Sequence, residues 1–202
     1  MAKPEDTIPE QRDGSEITVE EYVLLDSVAA AKAFFLDVKD RLLHVNKWQE
    51  ISGTLSADFQ LTDEKGETID SSPQKGNYVK INIPEPKMRK GEDFDWVRVE
   101  EVIEDNDGDG ESIAIKMRPA VSPVDNNNDV AHFFTDEATS NFIVKRQGTK
   151  VTAGVYGRNE KPNVKAETLI DRVRNAVVGS GAASGISKLQ WKALVNGLLD
   201  KA

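Results

Sequence analysis

Apolar residues recur along this chain first at strand spacing, then at helix spacing, then over a long stretch at strand spacing, and finally at helix spacing again. In residues 17–25 (ITVEEYVLL), Ile17, Val19, Val23 and Leu25 share one face and predict a first strand. Asp26 and Ser27 are suited to cap a helix N-terminus. Beyond them Ala31, Phe35, Val38, Leu42 and Val45 form a helical stripe over about residues 28–45. A short turn around Asn46, Trp48 and Ile51 ends at Gly53.

From there the period is two. Leu55, Ala57, Phe59 and Leu61 alternate with polar residues, which predicts a strand buried on one face and wet on the other. Val79, Ile81 and Ile83 mark another, stopped by Pro84 and Pro86. Phe94–Glu104 reads as a long strand, and the turn Asp107-Gly108-Asp109-Gly110 leads into Ile113, Ile115 and Met117. Ala131–Thr135 is a candidate short strand, and Phe142–Arg146 and Val151–Tyr156 flank Gln147-Gly148-Thr149 as a second hairpin. Helical stripes return at Leu169, Ile170, Val173 and Val177, and at Trp191, Leu194, Val195 and Leu198. Between them Gly179–Gly185 carries three glycines and reads as a helix–helix hinge. A central antiparallel sheet with helices before and after it predicts an α+β domain over residues 16–202, since the strands need the helices to cover one face. Residues 1–15, polar with two prolines, read as a disordered lead-in.

Composition narrows the function classes. The chain has 202 residues, enough to bury roughly 70% of its unfolded surface without staples. It has no cysteine, which excludes disulfides, thiol catalysis and thiolate metal sites and fits a cytoplasmic setting. The net charge of −9 opposes nucleic acid and anionic membranes. The nearest basic cluster, Lys87, Arg89 and Lys90, reads as a solvated turn, and no run of apolar residues is long enough for an integral membrane segment. Asp105–Gly110 resembles the start of a calcium loop, but Lys116 stands where the bidentate Glu would be needed, so it reads as a hairpin turn. Gly179–Ser184 approximates a dinucleotide fingerprint, but it follows a helix where a strand is required. No metal and no cofactor are expected.

Candidate site residues are few. The histidines are His44, placed to suit a helix C-terminus, and His132, which sits near Asp136 and Glu137 and is a weak acid/base candidate. Glu101 falls on the strand face of Val97, Val99 and Ile103, where a carboxylate needs a partner or a raised pKa. It is the second acid/base candidate. Trp48, Trp96 and Trp191 are core residues or cavity walls.

The Phe34–Trp48 helix ending in a Trp-bearing turn, the strand Phe94-Asp95-Trp96-Val97-Arg98-Val99-Glu100 and the terminal Leu189–Leu199 helix resemble the Bet v 1/START-like (SRPBCC) superfamily over about residues 16–200. Ala131–Thr135 and Gly157–Asn163 are similar to segments of uncharacterised bacterial proteins. The resemblance implies a helix-grip fold: about seven curved antiparallel strands around a C-terminal helix, with short helices after the first strand. It implies a soluble protein that holds a lipid, polyketide or other hydrophobic small molecule between sheet and helix. Trp48, Phe59, Val79, Ile81, Trp96, Val99, Glu101 and Trp191 are the expected lining. A cyclase- or hydrolase-type enzyme and a chaperone-activator-like adaptor are the alternatives. The sequence does not specify an oligomeric state.

Overall fold

Alternate burial along Ser15–Leu24 (β1) opens a seven-stranded antiparallel sheet in the computed structural model, which describes residues 3–53, 57–82, 94–124, 130, 132–163 and 182–201. The other strands are β2 (Asp58–Thr62), β3 (Tyr78–Asn82), β4 (Asp95–Asn106), β5 (Gly110–Pro119), β6 (Thr139–Gln147) and β7 (Lys150–Glu160). Their spatial order is β1-β7-β6-β5-β4-β3-β2, so each strand from β2 to β6 lies beside its successor and β1 pairs with β7. The helices are α1 (Val28–Leu43), α2 (Trp48–Ser52) and α3 (Ala182–Leu198).

The sheet is curved, and its concave face is covered by helices, as the alternation requires. Ser27 caps α1 by accepting a hydrogen bond from the Ala30 amide at 3.1 Å. The α1 stripe of Ala31, Phe35, Val38 and Leu42 is buried against β6 and β7. Asn46 then locks the turn to the sheet: its Oδ1 accepts from the Leu61 amide at 2.6 Å and its Nδ2 donates to the Ile69 carbonyl at 2.9 Å. Helix α3 lies over β1 and β7 and crosses α2. Leu194, Val195 and Leu198 are its buried stripe. Arg41 of α1 caps its far end, donating to the carbonyls of Leu198 at 3.0 Å and Asp200 at 2.5 Å.

Three expectations are corrected. First, residues 3–14 are ordered on the convex face. Pro4–Thr7 forms a 3-10 turn against β4, β5 and β6, where the cross-strand pair Ala114 and Ile143 is buried. Lys145 holds Glu5 at 2.6 Å, and Asn159 Oδ1 accepts from the amides of Arg12 and Asp13. An apolar pair on the convex face needs cover, and composition does not reveal which segment supplies it. Second, α3 includes Ala182–Leu198, so Gly185 lies inside a helix. The stripe at 169–177 and Gly179 to Gly181 fall outside the described residues. Third, a β-bulge at Glu100 breaks the alternation of β4, because the register passes from Val99↔Met117 directly to Glu101↔Lys116.

Gly197 is where α3 meets α2. A Cβ there would fall well inside van der Waals contact with the Ile51 carbonyl. Gly197→Ala is therefore expected to destabilise the fold by about 1–3 kcal/mol, despite the better helix propensity of alanine. Thermal unfolding would show it as a Tm lower by several degrees; an unchanged or raised Tm would mean that the two helices do not pack this closely.

Candidate functional site

The concave face is graded along the strands. At the end beside the β4–β5 and β6–β7 hairpins it is ionic: Arg146, almost wholly buried, pairs with Glu111, and Lys39 of α1 reaches Glu104. These pairs place charge under α1 only where each has its partner.

The middle is aromatic. Trp48, from the turn after α1, packs on Phe59 of β2 with centroids 5.4 Å apart and on Phe142 of β6 at 4.7 Å. Trp191 of α3 completes the group, 6.0 Å from Phe59 and 5.3 Å from Phe142. Offset and edge-on contacts of this kind add roughly 0.5–1.5 kcal/mol each beyond area burial. The Trp48 indole N–H is satisfied by the Leu42 carbonyl at 3.1 Å. Val79, Ile81 and Val99 are buried in the same cluster. Trp48, Phe59 and Phe142 are buried, whereas Trp191 is only partly so. The open side of the aromatic group is therefore at Trp191.

Six of the eight expected lining residues share this face: Trp48, Phe59, Val79, Ile81, Val99 and Trp191. Trp96 and Glu101 do not. Trp96 is opposite Lys80, out of phase with Val97 and Val99, and is buried on the convex side near the turn at Gly66. Glu101 would have shared the face of Val97 and Val99 in an unbroken strand. The bulge turns it to the convex side, 3.8 Å from Lys116 and open to water. Ile103 moves with it, and Val102 packs on the concave core instead.

His132 is in the loop before β6, buried, with Nδ1 accepting from the Phe134 amide at 3.0 Å and its ring stacked on Phe133. Burial pushes its pKa down to about 3. A ring held neutral by its surroundings, accepting from a local backbone amide, is a packed loop residue. It and Glu101 are not brought together.

The hairpin at Asp105–Gly110 spends its side-chain oxygens on itself. Asp107 Oδ1 accepts from the amides of Asp109 and Gly110, and Asn106 Oδ1 from that of Gly108. Among the described residues no group of three or more His, Asp or Glu is disposed to hold a metal. A polar cleft of about 210 Å³ lies between this hairpin and residues 3–5.

From the sequence, Glu160 reads only as part of Arg158–Asn163, a strand-to-helix connection or polar gate, and its burial is not foreseen. It is 3% exposed at the end of β7, and burial pushes its carboxyl up to about 7, outweighing a hydrogen bond from Ser15 and the nearby Arg158. The signal for it was Gly157, a glycine inside a strand, which marks a close approach by another group.

Glu160 and His132 give opposite pH dependences. The folded chain holds the Glu160 proton more tightly than the unfolded chain does, so its contribution is full below about pH 4.5 and is lost as pH rises through about 7. His132 holds its proton less tightly when folded, so its contribution is present above about pH 6.5 and is lost as pH falls toward 3. Glu160→Gln is expected to raise stability at pH 8 by roughly 1–3 kcal/mol relative to wild type, and to leave it little changed at pH 4.5. Urea unfolding at the two pH values measures this; equal shifts at both would contradict a raised carboxyl pKa.

No family model matches the chain, and no curated protein matches it. Solved structures do match. A hypothetical protein from Helicobacter pylori is 13% identical, with 96% of this chain and 94% of that one aligned at a TM-score of 0.50. The major latex-like protein of Panax ginseng is 12% identical, covering 93% of this chain and all of that one at 0.40. A truncated norcoclaurine synthase from Thalictrum flavum is 8% identical, covering 96% and 100% at 0.38. Among the described residues no helix is long and apolar enough to cross a membrane. The strand order, the helices on the concave face and the near-complete alignment give this chain a helix-grip α+β fold.

Proposed function

We propose that the chain binds a hydrophobic small molecule in the space between the concave face and α3, in a cytoplasmic setting, without catalysing a reaction on it. The observation that carries this reading is the open side of the aromatic group. Trp191 stays partly exposed although it packs on two buried phenylalanines, and a large apolar ring at such an edge gains free energy when a ligand covers it. Trp48, Phe59, Val79, Ile81 and Val99 are the wall behind it. The alternative of acid/base chemistry by His132 and Glu101 gains no support from their placement, since one is locked in a loop and the other faces water.

A neutral fluorescent probe, N-phenyl-1-naphthylamine, tests the reading without attraction to or repulsion by the net charge. Saturable binding that quenches tryptophan emission is expected. Trp191→Ala is expected to weaken it about tenfold, the effect of losing roughly 50 Å² of apolar contact. Absence of saturable binding, or a variant that binds like wild type, would overturn the reading.

A further inference from the structure

The concave face of β7 runs Val151, Ala153, Val155, Gly157, and at Gly157 it carries no side chain. Its cross-strand neighbours there are Ile17 of β1 and Ser140 of β6. Asn159 then takes φ 56, which breaks the alternation, and its side chain is engaged with residues 10–13. The chain swings back, and the Glu160 carboxyl settles in the place a residue-157 side chain would fill. A Cβ at that position would overlap Glu160 Oε1 and lie 3.5 Å from the Ile17 Cβ. The carboxyl therefore sits on the concave face, beside a core isoleucine, and is nine-tenths buried.

It sits there with little to hold it. Ser15 Oγ donates to Oε2 at 3.4 Å, and among the described residues Oε1 has no hydrogen-bond partner. The nearby Arg158 does not pair with it. That guanidinium donates to the carbonyls of Ile17 at 2.9 Å and Gly157 at 2.8 Å and to the Thr18 hydroxyl at 3.3 Å, and it approaches Glu16 at 3.7 Å. A buried carboxyl without a cation is costly, and such groups gather where a ligand supplies the missing partner. The aromatic group is close by. Val155 is paired with Phe142, and Gly157 is two residues, about 7 Å, further along the same face. Helix α3 packs over β1 and β7, the two strands that carry Ile17 and Gly157.

We propose that Glu160 is the polar anchor of the concave-face site and selects an apolar ligand whose head group donates hydrogen bonds, a primary amine above all and a hydroxyl after it. This rests on the binding role proposed above. The apolar body lies against Trp191, and the amine takes the place of the missing cation at Oε1. Above about pH 7, where the carboxyl is ionised, a ligand ending in a carboxylate meets a like charge there and is rejected.

Three twelve-carbon probes separate this from a site that reads apolar surface alone: dodecylamine, 1-dodecanol and dodecanoate, at pH 8 and each below its micelle concentration, competing with N-phenyl-1-naphthylamine on the full chain. On wild type, dodecylamine is expected to bind about tenfold more tightly than dodecanoate, with 1-dodecanol between them. Glu160→Gln is expected to shrink the amine-to-carboxylate ratio about fivefold and to leave 1-dodecanol within about twofold. Gly157→Ala keeps the charge but pushes the carboxyl off its seat. It is expected to shrink the ratio likewise, which separates a seated group from long-range attraction by an acidic chain. Circular dichroism confirms folding, and either folded variant suffices. A wild-type preference for dodecanoate, no preference, or a ratio unchanged in a folded variant overturns the proposal; the binding site itself still stands if 1-dodecanol displaces the probe. If none of the three probes displaces it, the concave-face reading fails first.

Discussion

The curved sheet has two faces and one set of helices, and the structure follows from how those helices are spent. Backbone pairing commits seven strands to a single sheet, and the pleat sends alternate side chains to opposite sides. The concave side receives Trp48, Phe59 and Phe142, three rings too large to leave wet, and α1, α2 and α3 go to that side to cover them. The convex side receives Ala114, Ile143 and Trp96 and, among the described residues, no helix longer than one turn; loops and the segment 3–14 cover it. Everything distinctive about the candidate site comes from that allocation.

The allocation also grades the concave face chemically. At one end each charge has its partner, as Arg146 has Glu111, so nothing there calls for a ligand. In the middle the rings pack on one another, with an edge left open at Trp191. At the other end Glu160 is buried without a cation, folded over a glycine. An apolar wall followed by a polar group without a charged partner is the usual division of labour in a small-molecule site: the wall supplies affinity and the polar group supplies orientation.

How far this was legible in the sequence depended on whether the pattern was local. The stripe of α1, the two hairpins and the alternation in β2 and β3 each declare themselves within about ten residues, and with them came the strand–helix order that defines the fold. Failures came where one residue changes the phase. The bulge at Glu100 sends Glu101 to water and Val102 to the core, and nothing in the local alternation announces it. Trp96 was assigned to the cavity by its bulk, although its own alternation with Val97 already put it on the other side. Glu160 was invisible because its position depends on Asn159 leaving the extended region and on residue 157 being glycine. The first signal is weak, and the second has meaning only once the cross-strand neighbours are known.

The central claim is that the space between the concave face and α3 accepts an apolar molecule against Trp191. A crystal structure of the chain with 1-bromododecane tests it most directly, because the bromine can be located by its anomalous scattering. The account predicts bromine and hydrocarbon density between the sheet and α3, touching the Trp191 ring. Bromine found only on the convex surface, or a concave face closed by its own side chains with no density beside Trp191, would contradict it.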